Sequence, residues 1–257
     1  MLLTEEGIAV VEGDSHLSRD IIAHKRLDLP IIWELLDQLK PWIPEGGVVA
    51  DIGACLGDHT VAYAQMVGPT GRVYAFEPNP AALECLRYNT RNYPNISVSG
   101  YALGHEAGQS RIGPDPGQPK NLGMATLHDE IGEVVDVRPL DALTADWPRL
   151  DFMKIDVEGF EPSVLVGAEQ TLTKHRPILL LEVNDRALKQ HGSAPVALYA
   201  LLASWNYGVV PIFDSGGDDP MVRLAQTEID VLAFPVEKYP HIQTYQIRLA
   251  LEARSMP

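Results

Sequence analysis

An apolar, β-branched run that ends in an acid and passes straight into a glycine loop constrains this chain more than any other feature. The stretch reads Val48-Val49-Ala50-Asp51-Ile52-Gly53-Ala54-Cys55-Leu56-Gly57-Asp58-His59-Thr60. The run from Val48 to Ile52 suits a strand buried on both faces. Gly53 and Gly57 carry no Cβ, so the backbone can turn sharply and admit a ligand closely. A helical pattern then begins at His59 and Thr60. Together these predict the first strand, turn and helix of a nucleotide-binding α/β unit.

The glycine spacing separates two cofactors. A dinucleotide fingerprint is G-x-G-x-x-G, placed to receive a pyrophosphate. Here the middle glycine is missing, and the order is Asp51-x-Gly53-x-x-x-Gly57. That order resembles motif I of S-adenosylmethionine (SAM)-dependent methyltransferases. A methionine-derived cofactor presents a charged amine that Asp51 can face. Its carboxylate suits the backbone N–H groups of the loop, at Gly53, Ala54 and Gly57, and the helix N-terminus with His59. The competing reading is an ordinary strand-to-helix turn with no ligand. Glu77 bears on that choice. It ends the next strand, Arg72 to Phe76, 26 positions after Asp51. An acid there can accept both ribose hydroxyls of a nucleoside cofactor.

The formal net charge of −15 opposes wrapping of a long nucleic acid, which needs clustered Lys and Arg. Two cysteines, Cys55 and Cys85, give no disulfide framework and no metal spacing. Cys55 reads as packing. No apolar stretch reaches roughly 18 residues, so no membrane span is expected. Met1 to Glu6 lacks the basic and apolar regions of a signal peptide, which makes the cytoplasm the expected location.

Strand and helix patterns alternate after residue 47. Strands are expected at 48–52, 72–76, 96–99, 151–156, 178–182, 208–213 and 228–234. Helices are expected after His59 and near 81–92, 162–174 and 196–205, with a helical tail from Ile242 to Arg254. Such alternation predicts an α/β fold with a doubly wound, mostly parallel sheet. We expect one domain over 1–257. Residues 1–47 form an N-terminal helical cap, 48–234 a Rossmann-like core and 235–257 a C-terminal tail. His16, Arg19, His24, Lys25 and Arg26 crowd the cap, as solvated surface or as a lid over the cofactor. Residues 105–125, rich in Gly, Pro, Gln and Asp, read as an irregular excursion.

Ligands in such sheets bind beyond the strand C-termini. Ala102 and Leu103 are placed there to flank an adenine ring. Lys154 and Asp156 share one strand face and should pair, because unpaired charge there is costly. Glu158 and Glu161 read as acids favouring a helix N-terminus. Asp156, Glu182 and Asn184 could converge on one oxygen-lined spot. Mg²⁺ suits that set, but with no third carboxylate evident we expect no metal. Hydrogen bonding to acceptor or cofactor amine is the preferred role. Asp156 is the first choice for the acceptor-side acid and Glu182 the second, with His24 a rival base.

Four segments carry a family resemblance: Asp51-Ile-Gly-Ala-Cys-Leu-Gly-Asp-His-Thr60, Phe76-Glu-Pro-Asn79, Ala102-Leu-Gly104 and Lys154-Ile-Asp-Val-Glu-Gly-Phe-Glu161. Over about Val48 to Asn184 the chain resembles the FkbM family of SAM-dependent methyltransferases. The resemblance implies a Rossmann-like seven-stranded sheet and O-methylation, often of sugar hydroxyls. It implies SAM contacts at Asp51, Gly53, Gly57, Thr60 and Glu77, and we add Ala54 and Asn79 from the same motifs. The expected substrate is a small molecule or carbohydrate, with neither nucleic acid nor membrane as partner. The oligomeric state stays open, a homodimer included. Rival functions are an NAD-dependent oxidoreductase, disfavoured by the missing glycine, and a SAM-binding regulator without catalysis.

Overall fold

The computed structural model describes residues 1–128, 130–212 and 227–240. The expected helical tail beyond Ile242 lies outside the described residues, as does Phe213. The chain opens with two short antiparallel strands, β1 (Leu2–Leu3) and β2 (Ala9–Val10), then helices α1 (Leu17–His24) and α2 (Pro30–Leu39). The core follows as β3 (Val48–Ile52), α3 (Asp58–Val67), β4 (Arg72–Phe76), α4 (Pro80–Thr90) and β5 (Ile96–Ser99). A second sheet is built from β6 (Ala102–Leu103), β7 (Gly108–Gly113), β8 (Thr126–His128) and β9 (Glu133–Arg138). The core resumes with β10 (Phe152–Ile155), α5 (Glu161–Val166), α6 (Glu169–His175) and β11 (Ile178–Asn184). It closes with α7 (Asp185–Gln190), α8 (Pro195–Ser204), β12 (Tyr207–Pro211) and β13 (Glu228–Pro235).

Among the described residues the main sheet has seven strands in the order β12-β13-β11-β10-β3-β4-β5. Only β13 runs against its neighbours. The order reverses beside β3 and β10, and the crevice beyond their C-terminal ends is where such sheets hold ligands. Both faces are buried, as the unbroken apolar runs demand. Val48, Ala50 and Ile52 pack on one face and Val49 on the other, following the strand period of two. Register places Asp51 beside Lys154 and Ile52 beside Phe76, so the ends of β3, β4 and β10 align.

Two expectations are corrected here, and one open alternative is narrowed. The helix expected at 162–174 is two helices, α5 and α6, broken at Gly167. A Cβ at Gly167 would lie 2.0 Å from the Gly104 carbonyl oxygen, so a neighbouring strand exit crosses the helix there. The excursion at 105–125 contains β7, whose glycine- and glutamine-bearing sequence lacks the usual strand signature. Of the two readings of the basic cap residues, solvated surface describes three of them. Arg19, Lys25 and Arg26 form surface ion pairs with Asp20, Glu6 and Asp28. The cap is instead tied down by Asn89, whose side chain bonds both backbone groups of Ala9 and the Leu56 carbonyl.

Candidate active site

A cavity of about 330 Å³ opens beyond the C-terminal ends of β3, β4 and β10. At one end the glycine loop builds it from backbone. Gly53 sits at φ +80°, and a Cβ there would come within 1.8 Å of the Asp156 carbonyl oxygen. The N–H groups of Gly53 and Ala54 both donate to the Phe76 carbonyl at 3.0 Å. Glu77 is nearly buried and lines the cavity. Its Oε2 accepts from the Cys55 N–H at 2.8 Å and its Oε1 from the Asn79 N–H at 2.7 Å. Burial pushes its carboxyl up to about 7, against the pull of those two bonds. Burial, with the nearby Glu77 charge, also pushes the Cys55 thiol well up, consistent with packing.

Gly53, His59, Glu77, Ala102, Leu103 and Asp156 reach this cavity together. Five other expected cofactor residues stand behind its lining. Asp51 is fully buried, with its Oδ2 accepting the Thr60 hydroxyl at 2.5 Å. Its Oδ1 lacks a hydrogen-bond partner, and the Lys154 Nζ lies 3.9 Å away. Burial raises the Asp51 carboxyl, and Lys154, His59 and Thr60 oppose that rise. Asp51 thus lies beneath the loop and outside the cavity lining. Ala54 packs in the core against Ala75 and Leu86. Gly57 caps α3 at φ +94°. The Asn79 side chain accepts from the N–H groups of Ala81 and Ala82 and caps α4. His59 is paired with Asp58 at 3.3 Å. Burial lowers its imidazole, but Asp58 outweighs that and the net shift is upward.

Acids dominate the opposite end. Lys154 is buried and donates to the Asp156 Oδ2 at 2.8 Å and to the Gly53 carbonyl at 3.3 Å, the pairing expected from strand period. Burial lowers its ammonium, but Asp156 and Asp51 raise it more, and the net shift is upward. Asp156, Glu158 and Glu182 bring carboxylate oxygens within 4.8 Å of one another. The Asp156 charge first, then burial, pushes the Glu182 carboxyl strongly up. Burial and the Asp156 charge push Glu158 up to about 8.

The two acids of the turn after β10 have different employments. Glu161 accepts from the Val157 and Gly159 N–H groups and locks the turn. Glu158 does no such work and faces the cavity. Asn184 does not join the acids as expected. Its Oδ1 caps α7 through the Ala187 N–H at 3.1 Å, and its Nδ2 reaches Glu228 at 3.4 Å. His24 is also corrected. It is exposed on α1, bonds the Asp20 carbonyl of its own helix at 2.9 Å and lies off the cavity.

The model of the methyltransferase FkbM domain matches residues 51–209 of this chain, from the end of β3 into β12. The chain belongs to the FkbM methyltransferase family. Among its relatives is the 2-O-methyltransferase NoeI of Sinorhizobium fredii, 28% identical over 181 residues, 62% of this chain and 72% of NoeI. The hexuronic acid methyltransferase AglP of Haloferax volcanii is 28% identical over 131 residues, half of this chain and 52% of AglP. The match to the antimetabolite synthetase AmbE of Pseudomonas aeruginosa, 28% identical over 185 residues, covers 56% of this chain and 9% of AmbE. So the chain spans well under two thirds of two of these three relatives. An FkbM methyltransferase structure from Methylobacillus flagellatus superposes with a TM-score of 0.50 at 23% identity, covering 74% of this chain and 44% of that one, a likeness of fold.

Within this FkbM domain, several cavity residues escaped sequence reasoning. Tyr101, Ile112, Thr126 and Leu127 line it from the second sheet and its approach, and Leu17 does so from the cap. Residues 121–125 also line it, on a loop held by Asp14, which accepts the Leu122 N–H at 3.1 Å. Asp115, buried under that loop, pairs with Arg186 at 3.1 Å. No periodicity marks this loop, so no signal in the chain announced it. Glu228 arrives from β13, far along the chain. Among the described residues no helix is long and apolar enough to cross a membrane.

Proposed function

We propose that this FkbM-family chain is a SAM-dependent O-methyltransferase acting on a hydroxyl of a small molecule, sugar or glycan. The observation that carries the reading is the polarity of one cavity. A buried ribose-type acid, Glu77, stands at one end, and a cluster of strand-end carboxylates stands at the other. Phe76, Ala102 and Leu103 line the same cavity and offer apolar contact for a purine. The residues fit the cofactor: the glycine loop brings backbone close to the cavity, and His59 lines the cavity beside that loop. The names of NoeI and AglP support a sugar-like acceptor.

When bound, SAM supplies an already activated methyl on a sulfonium, so the protein's task is mainly alignment. Glu77 would hold the ribose end, and Ala102 and Leu103 would flank the base. Lys154 positions Asp156 through one oxygen. Asp156 and Glu182 crowd each other, and the Asp156 charge favours the protonated form of Glu182. Asp156 would then orient the acceptor hydroxyl and take up the proton that the hydroxyl loses on methylation. His59 stands at the cofactor side of this arrangement.

Calorimetry with SAM, S-adenosylhomocysteine and NAD tests the reading. Saturable heat is expected from the first two alone. Heat from NAD and none from either SAM species would end it in favour of an oxidoreductase.

A further inference from the structure

Alignment of one hydroxyl calls for one acid at the strand ends, yet the chain puts three there. Asp156 leaves β10, Glu158 follows in the next turn and Glu182 lies on the adjoining β11. Their oxygens all fall within 4.8 Å of one another. Carboxylates so placed repel, and a partly buried setting strengthens the repulsion. Lys154 does not relieve all three, because its ammonium is engaged with Asp156 and the Gly53 carbonyl. Glu228 and Asp230 of β13 add negative charge from a third strand.

Glu158 is the telling residue. It is 7% exposed, yet its Oε2 has no hydrogen-bond partner. Such a group costs free energy wherever nothing answers it. The backbone goes out of its way to deliver it. Glu158 sits at φ +55°, a left-handed conformation that side chains rarely adopt. The Thr126 hydroxyl fixes its carbonyl at 3.0 Å. Gly159 follows at φ +95°, where a Cβ would lie 2.2 Å from the Ala187 carbonyl oxygen. Strain of this kind persists at sites where the surroundings over-determine it.

We infer that Asp156, Glu158 and Glu182 together bind one hard divalent cation, of the Mg²⁺ or Mn²⁺ class, at the acceptor end of the cavity. Such ions take carboxylate oxygens and retain positions for water or substrate oxygens. Three protein donors leave positions facing the cavity, where an acceptor oxygen can complete the shell. The ion's part in methyl transfer rests on the function proposed above; its binding does not.

Mn²⁺ titration of the full chain, stripped with EDTA and desalted, tests the site. Loss of the free Mn²⁺ paramagnetic signal should show one ion per chain, displaced by Mg²⁺. Glu158→Gln and Glu182→Gln should each weaken Mn²⁺ binding by at least about tenfold. The melting temperature of metal-free Glu158→Gln should hold or rise, because the variant removes a buried acid that its neighbours crowd and nothing in the chain answers. That result separates lost ligation from lost folding. No saturable Mn²⁺ binding to the wild type, or affinity unchanged in both variants, overturns the inference. SAM calorimetry on the same sample keeps the two claims apart. Mn²⁺ binding without SAM heat sustains the cation site and removes the methyltransferase. SAM heat without Mn²⁺ binding removes the site alone.

Discussion

The two ends of the cavity are built on opposite principles. At the glycine-loop end the carboxylate that lines the cavity is answered from within the chain. Glu77 has a backbone donor on each oxygen, and the loop N–H groups close on Phe76. At the strand-end side polar groups are left open: Glu158 keeps an unpartnered oxygen and Glu182 is crowded by Asp156. A satisfied end is rigid before any ligand arrives. An unsatisfied end holds free energy that a ligand can recover. Under the function proposed above, the difference separates a part that holds one cofactor from a part that meets something carrying protons or positive charge.

The contrast can be broken most severely at its seam, Gly53. Gly53→Ala adds a Cβ 1.8 Å from the Asp156 carbonyl at a left-handed backbone position. We expect a loss of more than about 4 kcal/mol in urea unfolding, or no folded protein at all. Retained stability would mean that the loop can move away from β10. Next is Lys154→Met, which leaves the buried Asp51 and its neighbour Asp156 without their shared ammonium. A loss of about 3 kcal/mol is expected, at the low end for a broken buried pair because Asp156 is partly exposed. The same unfolding experiment reads it.

Two substitutions sharpen the contrast by function. Asp156→Asn should lower turnover about a hundredfold with a true acceptor while SAM affinity changes little. Equal losses in both would place Asp156 at the cofactor end instead. Glu77→Gln should do the reverse and weaken SAM by about 1.5–3 kcal/mol in calorimetry. It also carries a pH signature. Burial holds this carboxyl at about 7, above its ordinary 4.5, so the fold favours the protonated form. That stabilisation is complete below pH 4.5 and is lost as pH rises through about 7. Glu77→Gln should flatten this slope in melting curves taken across the interval, and an unchanged slope would assign it to other groups. Smallest of all is His24→Ala, expected to stay within about 0.5 kcal/mol and to leave turnover intact. A rate loss there would bring the cap back into the chemistry.

The architecture was legible because its signals are local. Val48 to Ile52 and Ile178 to Leu181 are runs that only a sheet buried on both faces accommodates, and Glu77 and Lys154 follow from strand period and length. Adjacency across the sheet is not local. Asn184 reads like a third ligand because it lies two residues beyond Glu182, the same strand period that paired Lys154 with Asp156. What the period omits is that Asn184 begins α7 and is consumed in capping it. Glu158 reads like a helix-favouring acid because Glu161, three residues on, is one; only a left-handed turn distinguishes them. Asp51 reads like a cofactor contact because its type and place fit, but whether an acid sits above or below a loop depends on packing.

The second sheet occupies one unbroken span between β5 and β10, and its first and last strands pair with each other, Ala102 beside Val137 and Leu103 beside Arg138. The span therefore enters and leaves the core through a single zipped neck. Beyond that neck the span meets the rest of the chain through a few side-chain ties, Asp14 to Leu122, Arg186 to Asp115 and Thr126 to Glu158, so it can be rewritten while the seven-stranded ladder keeps every bond it has. This makes the span a detachable cassette in evolutionary terms. A lineage can retain its cofactor machinery unaltered and acquire a new acceptor by rewriting one paragraph of the gene, and a protein engineer can graft the same paragraph between cousins.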